Sequence, residues 1–150
     1  MTSLEGARQM SEPNTTTEGT ITEEEQPTIN TTGILASMKL MLGMEPDYKA
    51  FDTDLIIHIN TCLAELYQVG VGEEPFQLDL TNPDTSEWED FIGNDNAALN
   101  MVKSYTYLSL RTLFDPPQNS FVLDAQHKKA EELLWRIRVE ADKWPMHHTT

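Results

Sequence analysis

Two consecutive prolines, Pro116 and Pro117, divide the C-terminal half of the chain. A proline lacks the backbone N–H and clashes with the carbonyl four residues earlier, so neither can lie inside a helix. The residue before a proline is also pushed out of the α region, so an incoming helix should end near Phe114 or Asp115. Asn119 then offers a side-chain oxygen to the free amides of a following helix. The sequence therefore predicts a sharp helix–loop–helix corner.

Apolar spacing that is typical of helices lies on both sides of this corner. From about Asn96 to Phe114, apolar residues occur almost all round the helix, which predicts a central buried element. From Ser120 to about Lys143, they follow a 4-3-4-3 spacing, which predicts a packing seam for one partner helix. The seam residues are Ala130, Leu134, Ile137, Ala141 and Trp144.

Two further helices are predicted nearer the N-terminus. A short apolar helix covers residues 34–42, and Gly43 can end it. The next helix begins near Asp52 or Thr53, either of which can cap it. Its apolar residues recur at helical spacing and define one buried stripe. The stripe consists of Leu55, Ile59, Cys62, Leu63 and Leu66.

Residues 73–95 have a mixed pattern. Polar and apolar residues alternate over 76–80, which is typical of a short strand or an extended edge. Ser86 can cap a short helical turn that covers the side of the bundle. Its apolar residues are Trp88, Phe91 and Ile92. The predicted fold class is all-α, a small bundle of about four to five helices with one short extended or β segment.

Composition divides the chain into an acidic, threonine-rich N-terminal extension (1–32), a helical domain (33–145) and a short C-terminal tail (146–150). The extension has too few apolar residues to offset the entropy of ordering, so we expect it to be disordered on its own. No apolar run is long enough to cross a bilayer, and no signal-peptide pattern is present, so we expect no membrane partner.

Charge is distributed unevenly along the chain. The net charge is −15. Residues 44–100 carry thirteen acids and one base, which gives −12, whereas residues 101–150 carry six acids and seven bases, which gives +1. Binding to DNA phosphates needs clustered lysines and arginines, so the acidic middle argues against a DNA-gripping protein.

No group of residues indicates a catalytic, cofactor or metal site. His58 lies on a polar helix face and is best interpreted as a solvated or interface histidine. Cys62 lies on the apolar stripe, and its sequence neighbours include no basic group that would activate a thiol. The acids between Asp79 and Asp95 lack the spacing and central glycine of an EF-hand loop. A solvated acidic surface is the favoured interpretation, and the protein is predicted not to be an enzyme.

Trp135 lies off the packing seam of the last helix, beside Arg136 and Arg138. An aromatic residue among arginines is typical of protein–protein contacts. Trp135 could equally cover the edge of its own bundle, and both interpretations remain open.

Four fragments occur in order: ILASMKLMLGMEPDYKAFDTDLIIHINTCLAELYQVGVG (34–72), WEDFI (88–92), LFDPP (113–117) and ELLWRIRVEA (132–141). Together they resemble the head–tail connector proteins of tailed bacteriophages, also called portal adaptors or head-completion proteins. The resemblance covers about residues 34–144 and leaves out the extension.

This resemblance implies a structural virion protein of the neck between capsid and tail, assembled in the host cytoplasm. Its subunits form a ring, dodecameric like the portal, beneath the portal protein. The ring extends the channel through which DNA passes without specific binding, and a stopper or tail-completion protein docks on it.

The resemblance and the charge distribution together lead to two hypotheses about sites. Acids after the second helix would line the channel and repel phosphates: Glu73, Glu74, Asp79 and Asp84. The C-terminal helix would contact the portal or the next subunit through Trp135, Arg136, Arg138, Trp144 and Met146. The corner residues Asp115, Pro116, Pro117 and Asn119 would aim that helix. The alternative is a stand-alone acidic helical adaptor, or a DNA-mimic inhibitor, that binds a basic protein.

Overall fold

The computed structural model describes residues 32–93 and 96–143. Within these residues the chain forms no β-strand and five α-helices: α1 (Ile34–Met41), α2 (Asp52–Gln68), α3 (Trp88–Ile92), α4 (Asn96–Phe114) and α5 (Ser120–Ala141). A 3-10 turn at Pro83–Thr85 precedes α3. The predicted all-α bundle is confirmed. The expectations for residues 1–31 and for Trp144 and Met146 lie outside the described residues.

The helix α4 is the centre of the bundle, since it packs against α5, α2 and α1. The apolar stripe predicted for α2 is buried in full, and the three large apolar residues of α3 are buried with it. On α5, Ile137 and Ala141 of the predicted seam are buried, whereas Ala130 and Leu134 are only half-buried. Leu133, which the seam omitted, is buried in their place.

Three polar residues on α4 have local partners. The Lys103 ammonium lies 5.9 Å from the centroid of the Trp88 ring, a cation–π arrangement. The buried Thr106 hydroxyl donates to the carbonyl one turn earlier at 2.9 Å. Arg111 donates to the Tyr107 hydroxyl at 2.7 Å. Each of these three polar residues on a largely apolar helix therefore has a partner.

The predicted cap of α2 is wrong. The N-cap residue is Phe51, without a side-chain cap, and Asp52 is already the first helical residue. The Asp52 carboxylate instead forms an ion pair with Lys39 of α1. A partner from another helix has therefore replaced the local capping role that the sequence pattern predicted for Asp52 or Thr53.

The predicted cap of α3 is also displaced by one residue. Glu87, not Ser86, is the N-cap, and its N–H donates to the Asp90 carboxylate at 2.8 Å in a capping box. The buried Trp88 indole N–H then donates to the Ser37 hydroxyl of α1 at 2.8 Å. These contacts hold α3 on the side of the bundle.

Residues 76–80 form neither a strand nor a helix, so the strand interpretation is wrong. The Asn60 side chain of α2 accepts from the Leu78 N–H at 2.7 Å and donates to the Leu78 carbonyl at 3.3 Å. A neighbouring strand would normally satisfy these two backbone groups. One amide side chain does so here, and Leu78 is buried as a result.

Candidate assembly interface

The corner between α4 and α5 is short and locally bonded. The helix α4 ends at Phe114, and the Asp115 N–H closes its last turn by donating to the Arg111 carbonyl at 2.8 Å. Pro116 and Pro117 follow outside any helix. The Asn119 side chain accepts from the N–H of residue 121 at 2.9 Å and caps α5. Five residues, 115–119, therefore connect α4 to α5.

An aromatic cluster supports this corner from the side. The Phe114 ring makes edge contacts with Phe51 and His58, with centroids 6.4 and 5.7 Å away. Phe51 in turn contacts Tyr48 at 5.7 Å. The cluster joins the end of α4 to the start of α2, so the corner is fixed on the body. His58 is half-buried against Phe114 rather than fully solvated.

One side of α5 carries two large aromatic residues that are exposed to solvent. Phe121 is 84% exposed and Trp135 is 65% exposed. Lys128 lies midway between them. A spacing of seven residues is close to two helical turns, so the three side chains share one side of α5. We call this side the outer face of α5; it also includes Arg138, one turn beyond Trp135.

Trp135 borders a shallow cavity of about 320 Å³ between α5 and α4, where Met101 contributes from α4. Arg136 lies on the same rim but is paired with Glu132 at 2.6 Å. Arg138 is exposed and forms no ion pair with another described residue. The outer face therefore presents an uncovered indole next to an unpaired guanidinium.

The four acids predicted to line a channel are all exposed, but they do not form one cluster. Glu73 and Glu74 lie at a cavity beside α3. Asp79 accepts from the N–H and the hydroxyl of Thr81, each at 2.8 Å, and these hydrogen bonds lower the pKa of Asp79. Asp84 lies in the 3-10 turn.

The cavity beside α3 has an apolar floor and an acidic rim. Its volume is about 450 Å³. The rings of Phe76 and Phe91 lie 5.8 Å apart on its floor. Glu73, Glu74 and Glu89 surround it, and none of the three forms an ion pair with another described residue. We call this site the acidic cavity.

A second groove, of about 290 Å³, lies between α2, α4 and α5 and includes Cys62. Burial, followed by the charge of Glu65, raises the pKa of the Cys62 thiol to about 12. The Tyr105 hydroxyl donates to the Glu65 carboxylate at 2.6 Å, and burial with this bond raises the pKa of Tyr105 as well. Both groups are thus held protonated at neutral pH, and an uncharged thiol is a poor nucleophile.

No cluster of three or more metal-ligating side chains occurs among residues 32–93 and 96–143. Over the same residues, no helix has the length and apolarity that crossing a membrane requires. The features that remain are an exposed aromatic–cationic helix face and an acidic cavity on a small helical bundle. An exposed tryptophan beside an arginine is typical of surfaces that contact other proteins.

A comparison with protein families identifies the family of the chain. Residues 34–144 match the family model described as phage connector protein, which is most of the chain. The chain therefore belongs to the phage connector protein family. No curated protein sequence and no solved structure gives a significant match. Membership indicates a structural, head–tail connector role in the neck of the virion, in association with the portal and other virion proteins.

Proposed function

We propose that the chain is a subunit of a homo-oligomeric ring, dodecameric like the portal, that lies directly beneath the portal protein. The ring extends the DNA channel and receives the stopper or tail-completion protein, after assembly in the host cytoplasm. The observation that carries this proposal is the outer face of α5. A connector chain that leaves Phe121 and Trp135 largely uncovered presents a surface suited to another protein.

The outer face of α5 supplies the contact to the portal or to the neighbouring subunit, through Trp135, Arg136 and Arg138. Trp144 and Met146, which lie outside the described residues, are proposed to extend this contact. The corner at Pro116 and Pro117 aims α5 toward its partner. Exposed tryptophan and arginine residues are the side chains that most often dominate binding energy at interfaces.

Of the exposed acids between α2 and α3, Asp79 and Asp84 face the channel. A negative wall repels phosphates, so DNA passes without binding. The −12 charge of residues 44–100 supports this assignment. A ring structure that places these acids on the outer wall would contradict it.

The test is to measure the mass of the purified full chain and to image it by negative staining, alone and mixed with the portal of the same phage. We expect rings, at least in the presence of the portal. Monomers that never join the portal would contradict the proposal. A monomer or dimer that binds a basic protein instead would support the alternative, a stand-alone acidic adaptor or DNA mimic.

A truncation tests the portal contact separately. A chain that ends after Arg138 lacks the last turn of α5 and the segment beyond it. We expect it to bind the portal more weakly than the full chain. Portal binding equal to that of the full chain would show that the end of α5 is not the contact.

A further inference from the structure

We propose that neighbouring copies of this chain pair head to tail, with Trp135 and Arg138 of one copy inserted into the acidic cavity of the next. This pairing rests on the proposed ring, and it identifies the two surfaces through which neighbouring subunits make contact. Every copy then carries one donor surface, on α5, and one acceptor surface, between α2 and α3.

The two surfaces are built from different parts of the chain. The acidic cavity is lined by residues 72–76, after α2, and by residues 89–93, in and directly after α3. The cavity at Trp135 is lined by Met101 of α4 and by residues of α5. The two cavities share no lining residue, so one chain carries two separate surfaces.

Two different surfaces on each subunit are what a closed ring requires. A head-to-tail interface joins two different patches and can repeat around a closed ring, whereas a two-fold interface joins one patch to itself and stops at a dimer. Two acidic cavities brought together would place six unpaired glutamates against each other. Like charges at an interface disfavour that pairing.

The chemistry of the two surfaces is complementary. The cavity offers the rings of Phe76 and Phe91 as a floor, against which an indole can pack edge to face. Its rim offers the carboxylates of Glu73 and Glu74, which have no cation within the described residues of their own chain. Carboxylates bind a guanidinium through charge-assisted, bidentate hydrogen bonds. Arg138, which forms no ion pair with another described residue, lies close to Trp135 on α5.

Two variants with one damaged surface each test the pairing. The first, Trp135→Ala with Arg138→Ala, alters only the outer face of α5. The second, Glu73→Lys with Glu74→Lys, alters only the acidic cavity. The matched control is Glu45→Lys with Asp47→Lys, which makes the same charge change at exposed acids in the loop between α1 and α2.

All substituted side chains are exposed, so thermal midpoints and circular dichroism should match the wild type. Should the lysine pair lower the midpoint, Glu73→Gln with Glu74→Gln removes the same charges without changing the shape of the side chains. Native mass spectrometry then measures assembly of the full chain, with and without the portal.

We expect each damaged variant alone to self-associate at least about tenfold more weakly than the wild type, as loss of central tryptophan or arginine contacts does elsewhere. The control should form rings. A mixture of the two variants retains one intact donor and one intact acceptor, so it should give a 1:1 heterodimer and no ring. A two-fold interface cannot give this result.

Rings formed by either damaged variant alone would overturn the pairing, as would a mixture that gives no heterodimer. Rings of the α5 variant that fail only to bind the portal would assign the outer face of α5 to the portal instead and also overturn it. These outcomes differ from failure of the proposed ring, in which the wild type itself does not assemble with or without the portal.

Discussion

Lys39 of α1 is buried and forms an ion pair with Asp52, the first residue of α2. The same ammonium donates to the carbonyls of Pro46 at 3.3 Å and Tyr48 at 3.0 Å. One buried charge therefore joins α1, the following loop and the start of α2. A buried charge is tolerated only when it is paired and hydrogen-bonded, and Lys39 meets both conditions. The loop it holds carries Tyr48, which belongs to the aromatic cluster at the corner.

Replacing Lys39 with methionine should lower the free energy of unfolding by about 3 kcal/mol, because Asp52 and two carbonyls lose their donor. Lys49→Met, at an exposed lysine of the same loop, is the control and should cost less than about 1 kcal/mol. Urea unfolding followed by circular dichroism measures both. Equal stabilities of the two variants would show that the ion pair contributes nothing net.

Gly72 and Gly43 both have positive φ angles, 82° and 77°, but different surroundings. A Cβ on Gly72 would lie 2.9 Å from the Phe91 carbonyl oxygen, whereas one on Gly43 would meet nothing within 4 Å. Gly43→Ala should cost about 1 kcal/mol, for left-handed strain alone. Gly72→Ala should cost about 1 to 3 kcal/mol more, because α3 must move. Thermal unfolding of the pair checks this, and equal midpoints would contradict the close contact.

Replacing Pro116 and Pro117 with alanine should reduce ring or portal assembly far more than helix content. The two helices persist, but the corner loses the restriction that aims α5. Asn119→Ala is the comparison, since it removes the cap of α5 and should cost about 1 kcal/mol without redirecting the helix. Circular dichroism and mass measurement report the two effects. Equal losses of helix content and assembly in the proline variant would show that the corner serves folding and does not orient α5 for assembly.

The Cys62 thiol should not react with a disulfide reagent in the folded protein at pH 8, because it is buried and protonated. Its rate of modification should instead follow global unfolding as urea is added. The control places the cysteine on the adjacent exposed position, Thr61→Cys in a Cys62→Ala background, and should react without denaturant. Rapid modification of native Cys62 would contradict the burial of this helix face.

The same thiol should make the protein less stable in alkali. Its pKa is about 12 in the folded state, against about 8.5 in an unfolded chain. The folded state thus holds the proton more tightly, so the stabilising contribution is complete below about pH 8.5 and is lost as pH rises toward the folded pKa. Cys62→Ala should flatten this decline in a series of urea titrations from pH 7 to pH 11. An unchanged slope would assign the decline to other groups.

The sequence alone determined the features that depend on neighbouring residues. The prolines end α4 at Phe114 because their steric effect acts within one turn of helix. The buried stripe of α2 follows from a 3.6-residue period that holds wherever the helix lies. The family resemblance likewise rests on short fragments in order, and the family match confirms it.

The tertiary structure decided which distant groups meet. Asn60 hydrogen-bonds to Leu78, eighteen residues away, where the sequence predicted a strand. Asp52 forms an ion pair with Lys39, where the sequence predicted a helix cap. The position of α3 also determines that Glu73 and Glu74 border the acidic cavity, whereas Asp79 and Asp84 lie in turns. These outcomes depend on how the helices pack around α4. A local sequence pattern cannot predict them, because the partner comes from another helix.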